Sequence, residues 1–118
     1  VNNARFLTFL EHARMAYLMK LGLFDGENFF DFNLIVADIH ISYRAPIKLN
    51  QKVKVWIRTE KIGNKSFVFA YEIRDDESGQ VLATAESIMV TYDYRQQKSI
   101  PVPSEWRNAI SELEGKQF

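Results

Sequence analysis

The chain has 118 residues, 47% hydrophobic and 25% charged, which is one domain's worth of an ordinary folded protein rather than a disordered one. Its 15 basic and 15 acidic side chains cancel, and without a Lys/Arg run this argues against nucleic-acid binding by phosphate neutralisation. The absence of cysteine excludes disulfides, thiolate zinc sites and cysteine nucleophiles, and apolar runs such as Phe67–Tyr71 fall far short of the roughly 20 residues a membrane helix needs.

The chain opens on Val1-Asn2-Asn3, without methionine, and runs straight into a helix expected from Asn3 to about Leu21. Phe6, Phe9, Leu10, Ala13, Tyr17 and Leu21 recur at the i, i+3, i+4 spacing of one helical face. Leu7, Met15, Ala16, Leu18 and Met19 carry apolar character round most of the remaining circumference, so the helix is expected to be covered on most sides. Asn2 or Asn3 can cap its first turn, and Gly22 followed by Leu23 suits a left-handed stop.

After a loop, Gly26 to Asn33, the period changes from 3.6 to 2. From Leu34 to Ala45, Ile35, Ala37, Ile39, Ile41 and Tyr43 alternate with Asp38, His40, Ser42 and Arg44, which predicts a strand with one buried face, ended by Pro46. A second strand, about Gln51 to Ile62, sets Val53, Val55 and Ile57 against Lys54, Trp56 and Arg58. Gly63-Asn64-Lys65-Ser66 reads as a hairpin turn into a third strand carrying Phe67, Phe69, Tyr71 and Ile73 on one face. Asp75 to Gly79 make the next turn, and a long β-branched strand follows from Gln80 to about Tyr94. The tail is expected to hold a short helix, Glu105 to about Leu113, capped by Ser104 and stopped near Gly115, with Trp106 packing it down.

One buried helix followed by four strands with mostly tight connections predicts an α+β fold, an antiparallel meander wrapped around the helix. The hotdog fold is that arrangement. Trp56 and the Phe67/Phe69 row are assigned to its core.

The stretch VNNARFLTFLEHARMAYL resembles the helix of the 4-hydroxybenzoyl-CoA thioesterase-like family of the hotdog superfamily, whose pattern reads roughly D-x-x-G-H-V-N-N-x-x-[YF]-[LF]-x-[YF]-[LF]-E-x-A-R. IHISYRAPIK and EKIGNKSFVFAYEI are similar to that family's following strand and its turn with an aromatic strand, so the resemblance spans nearly the whole chain in order. It implies an acyl-CoA thioesterase, hydrolysing a fatty or aryl acyl-CoA to free acid and CoA, without cofactor and in the cytoplasm. Such hydrolysis needs a carboxylate to attack or to activate water, and donors for the developing oxyanion. A helix N-terminus supplies the donors; carried along the motif, they are the backbone N–H of Asn3 with help from Asn2. The family's aspartate would lie before Val1, so a leading strand and catalytic loop are expected to be missing from this sequence.

Glu11, eight residues beyond Asn3, either substitutes as the base, as in a related branch of these enzymes, or pairs with Arg14 at i+3 as a structural contact. For the CoA nucleotide the resemblance points to Asn64, Lys65 and Ser66 at the hairpin, and Arg44 is a further phosphate candidate. Each has an ordinary reading beside it, a solvated turn lysine or a strand-end arginine. His12 is read as a helix-face histidine, and with His40 the only other histidine no metal site is expected.

Open sheet edges imply a homodimer, or a homotetramer as a dimer of dimers, with acyl-CoA as the partner and neither nucleic acid nor membrane. The alternatives are a non-catalytic acyl-CoA-binding hotdog subunit and a hotdog dehydratase. The dehydratase would want a paired His and Asp/Glu near the helix start, which this sequence does not offer.

Overall fold

The computed structural model describes residues 3–22, 34–48 and 50–118. Helix α1 (Asn3–Lys20) is followed by β1 (Leu34–Tyr43), β2 (Val53–Ile62), β3 (Ser66–Asp75), β4 (Val81–Asp93), a two-residue β5 (Lys98–Ser99) that pairs with β4, and helix α2 (Ser104–Glu114). Helix α1 stops at Gly22, whose φ of 75° is the left-handed conformation glycine allows at no steric cost. The expected loop from Gly26 to Asn33, Leu23 and any cap by Asn2 lie outside the described residues, as does the side chain of Asn3.

The sheet is antiparallel, in the order β1-β4-β3-β2. Strands β2, β3 and β4 form the expected meander, but β1 does not join it beside β2. It crosses to the far edge and pairs with β4, His40 lying opposite Glu86 and Tyr43 opposite Ala83. The face of β1 also changes partway. Ala37 is an extra residue between the Val36–Met89 and Asp38–Ile88 pairs, and such a bulge reverses the alternation. Ile35, grouped by period with Ile39 and Ile41, is thereby placed opposite Val90 on the other face. A second bulge interrupts β2 between Thr59 and Lys61.

Helix α1 lies on the inner face of this sheet, where Phe6, Leu10, Tyr17 and Leu18 pack with Phe67, Phe69, Tyr71, Ile73, Ala83, Ala85 and Met89. The rings of Tyr17 and Phe69 meet edge to face at 5.0 Å and those of Phe6 and Tyr43 at 4.7 Å. This is the hotdog layout, but α1 is not covered on most sides: Leu7 is 42% and Met19 51% exposed. An apolar circumference gives no direction, and within one chain only the sheet-facing stripe has something to pack against.

Helix α2 packs against the same core through Trp106 and Ile110. The residue before its first turn is Pro103, which has no side-chain donor or acceptor, so the cap expected from Ser104 is absent and Ser104 is itself the first helical residue. The C-terminal stop is the expected left-handed Gly115, whose N–H donates to the carbonyl of Ser111.

Candidate active site

The first turn of α1 contains no acidic residue, and the backbone N–H groups of a helix's first turn have no partner within the helix itself. Glu11 lies about 12 Å further along the axis, at about 1.5 Å per residue, and is exposed. The pairing of Glu11 with Arg14 is not formed. Arg14 turns inward and donates from Nη1 to the hydroxyl of Tyr71 at 3.4 Å. That hydroxyl shares a 2.5 Å hydrogen bond with Ser87 Oγ, and Ser87 also reaches the sulfur of Met89 at 3.5 Å. Tyr71 and Ser87 are buried, and burial pushes the Tyr71 phenol above its ordinary range while the bonds from Arg14 and Ser87 oppose it. An arginine drawn under the helix leaves the Glu11 carboxylate without an ion pair among the described residues.

The four residues assigned to CoA do not come together in one chain. Arg44 follows the C-terminal end of β1, its N–H bonded to the carbonyl of Leu82. The turn of Asn64, Lys65 and Ser66 lies at the other end of the sheet, because Ser66 pairs with Val90, which pairs with Ile35 near the start of β1. From that row to the Tyr43–Ala83–Ile73 row is roughly 25 Å at about 3.3 Å per residue. The contact between Phe6 and Tyr43 puts the start of α1 at the Arg44 end.

The hairpin is held rigidly by its carbonyls. Those of Gly63, Asn64 and Lys65 accept from Arg107, the N–H of Val102 and the N–H of Thr91, at 2.7, 2.8 and 3.1 Å. The side chains of Asn64 and Lys65 remain exposed. Trp56, assigned to the core, is instead 54% exposed on the outer face of the sheet, and its alternation with Lys54 and Arg58 carries that signal. Phe67 and Phe69 are core residues, as expected. Among the described residues no cluster of three His, Asp or Glu side chains could hold a metal ion, and no helix is long and apolar enough to cross a membrane.

The polar residues that the sequence does not mark are Arg14, Tyr71 and Ser87, together with Tyr17, Thr59 and Glu114 at the other end of α1. Period places Tyr17 and Tyr71 on the correct faces, but their hydroxyl partners come from elements far away in sequence.

A model of the thioesterase-like superfamily matches residues 1–110. The long-chain acyl-CoA thioesterase FadM of Escherichia coli strain K12 is 30% identical over 113 residues, an alignment covering 96% of this chain and 86% of that protein. The 1,4-dihydroxy-2-naphthoyl-CoA hydrolase of Synechocystis is 27% identical over 104 residues, covering 88% of this chain and 70% of that one. Among solved structures, a thioesterase from Thermus thermophilus complexed with coenzyme A and zinc superposes with a TM-score of 0.86 at 27% identity, covering 100% of this chain and 84% of that chain. The 1,4-dihydroxy-2-naphthoyl-CoA thioesterase of Synechocystis superposes at 0.84 with 25% identity, covering 97% of this chain and 85% of that chain.

Proposed function

The chain belongs to the thioesterase-like superfamily, and from that premise we propose that it is an acyl-CoA thioesterase whose site is shared between two copies. The substrate carbonyl accepts from the first-turn N–H of α1 at Asn3, where the helix dipole stabilises the oxyanion as it forms. Glu11 takes a proton from the attacking water. The tetrahedral intermediate then expels CoA as the thiolate, which regains the proton, leaving the free acid. Asn2, the residue before Asn3 in the chain, assists as the resemblance implies, and Arg44, Asn64, Lys65 and Ser66 hold the CoA phosphates.

The observation that carries this reading is the separation of Arg44 and the start of α1 from the 64–66 hairpin, at opposite ends of one sheet. Strand β1 is an edge, paired on one side with β4 and bearing the half-buried Ile39 and Ile41. Pairing two copies antiparallel through β1 sets the start of β1 in one copy beside its end in the other. Each copy's hairpin end then lies with the partner's Arg44 end, and the divided set is completed. The homodimer is therefore the smallest active unit.

The test is hydrolysis of short, long and aromatic acyl-CoAs by the full chain, read with a thiol-trapping dye. Glu11→Gln is expected to lower kcat by at least about 100-fold, the scale of general-base catalysis, with the fold intact. Arg44→Ala and Lys65→Ala are each expected to raise KM. A mixture of the two variants regains activity if the site is shared, because one of its two sites then carries neither change. Absence of turnover on every substrate would favour the binding-subunit alternative. Full turnover by Glu11→Gln would remove Glu11 from the mechanism.

A further inference from the structure

The hairpin proposed to hold CoA does not fix its own shape. A closed four-residue turn is locked by the N–H of its last residue donating to the carbonyl of its first. In the 63–66 turn the Gly63 N–H donates to the Ser66 carbonyl at 2.7 Å, but the bond from the Ser66 N–H back to Gly63 is not formed, and residues 64 and 65 make only a bend. The Gly63 carbonyl accepts instead from Arg107 Nη2 of α2, also at 2.7 Å. The carbonyls of Asn64 and Lys65 are likewise bonded from outside the turn, by the N–H of Val102 and the N–H of Thr91, and Thr91 Oγ1 lies 3.2 Å from the second.

We propose that Arg107 is a positioning residue for CoA, acting through the turn rather than on the nucleotide. Thr91 and Val102 are buried, so the N–H groups they offer the turn are fixed by their surroundings. Arg107 is the adjustable member, a half-buried side chain on a helix whose Trp106 and Ile110 face the core. Among the described residues it has no carboxylate partner, so nothing of opposite charge draws its guanidinium off the Gly63 carbonyl. A charged donor makes a stronger bond to a carbonyl than a neutral one does. Its loss leaves that carbonyl to water and the bend without its first tether. Asn64, Lys65 and Ser66 then have to be ordered as CoA binds, and affinity falls by the cost of ordering them.

This role rests on the hairpin being the CoA site, and it extends that site to α2, 44 residues beyond the turn. It concerns the nucleotide end of the substrate alone. The thioester chemistry is assigned to the start of α1, which within one chain lies at the opposite end of the sheet from this turn. The signature is therefore a rise in KM that requires the nucleotide to be present, with kcat unmoved.

Arg107→Met tests it, since methionine keeps an aliphatic stem and a good helix former while removing the donor. With the full chain, KM for an acyl-CoA is expected to rise about tenfold, the scale of one hydrogen bond from a charged group. Both kcat and the KM for the matching acyl-pantetheine, which lacks the nucleotide, should stay at wild-type values. The Kd of CoA, measured by titration calorimetry, should rise by the same factor, a readout that needs no turnover. In the Lys65→Ala background the same change should add less than about twofold, because both residues act through one turn. A full tenfold there would mean that Arg107 contacts phosphate itself, and an unchanged KM and Kd in Arg107→Met would remove it from binding; either result overturns the proposal. If Lys65→Ala alone leaves KM and Kd unaltered, the reading of the hairpin as the CoA site fails first, and this role goes with it.

Discussion

Replacing Tyr17 by phenylalanine removes one oxygen from the point where α1, β2 and α2 meet through polar atoms. The phenol donates to Glu114 Oε2 at 2.6 Å and lies 2.8 Å from Thr59 Oγ1, while the Thr59 N–H donates to the same carboxylate oxygen at 2.9 Å. Thr59 is fully buried and sits at the bulge of β2, where its N–H has left the regular ladder. Burial, reinforced by the Glu114 carboxylate, holds the Tyr17 phenol well above its ordinary range, so it stays a donor throughout the neutral range. A hydrogen bond to a charged group contributes about 1.5–3 kcal/mol, and because the ring remains no cavity term is added. Tyr17→Phe should therefore cost about 2 kcal/mol, or roughly 8 °C in Tm for a domain of this size. Glu114→Gln keeps the shape and an acceptor but loses the charge, and should cost about 1–2 kcal/mol. Because both changes act on one bond, the double variant should cost less than their sum by at least about 1 kcal/mol. Thermal and urea unfolding at one fixed protein concentration measure all three, since assembly shifts apparent stability. A Tyr17→Phe loss below about 0.5 kcal/mol, or strict additivity, would show that the hydroxyl is as well satisfied by water and that the Tyr17–Glu114 bond contributes nothing to holding α2.

Other outcomes follow from the same structure. The Asp75 carboxyl is held down at about 2, chiefly by the N–H of Ser78 and by the amide of Gln51. A carboxylate lowered on folding stabilises above its ordinary value near about 4 and loses that contribution as pH falls towards about 2. Asp75→Asn should thus be less stable than wild type at neutral pH, with the gap in urea midpoints closing across that window; parallel curves would contradict it. Gly79 adopts φ +75°, and a methyl group added there would meet nothing within 4 Å, so Gly79→Ala should cost about 1 kcal/mol in thermal unfolding from backbone strain alone and Gly79→Asn distinctly less. Tyr71→Phe strips Arg14 and Ser87 of a shared partner and should cost about 1–3 kcal/mol by thermal unfolding, as the loss of a buried satisfied donor does.

Alternation in the sequence reports which face a residue occupies, and it does so for nearly every strand position. Val53, Val55 and Ile57 face the core, as do Phe67, Phe69, Tyr71 and Ile73. It fails where one residue is inserted: Ala37 turns Ile35 to the opposite face, and nothing in a Leu-Ile-Val-Ala run marks which residue bulges. Trp56 departs from its expected place for a different reason, since its size argues for the core while its place in a polar row argues against it. Size favours burial only when some element covers that face, and here both helices lie on the other one.

Face is not neighbourhood, and that distinction decides how much of the site could be read in advance. A motif orders its residues along the chain, so Arg44 and the 64–66 hairpin look close, twenty residues apart across one connection and one strand. Which strands lie side by side depends on the crossover that carries β1 past β2 and β3 to β4, and no local pattern encodes it. Once β1 pairs with β4 antiparallel, its end is fixed opposite the start of β4 and therefore at the far end of β3 from the hairpin. Had β1 paired with β2 in a plain meander, Arg44 would have lain next to the start of β2, still a full strand length from the hairpin at its end. Neither order brings the two together within one sheet. In the shared site proposed above they meet across the β1 edges of two copies, where antiparallel pairing sets the start of one strand beside the end of the other.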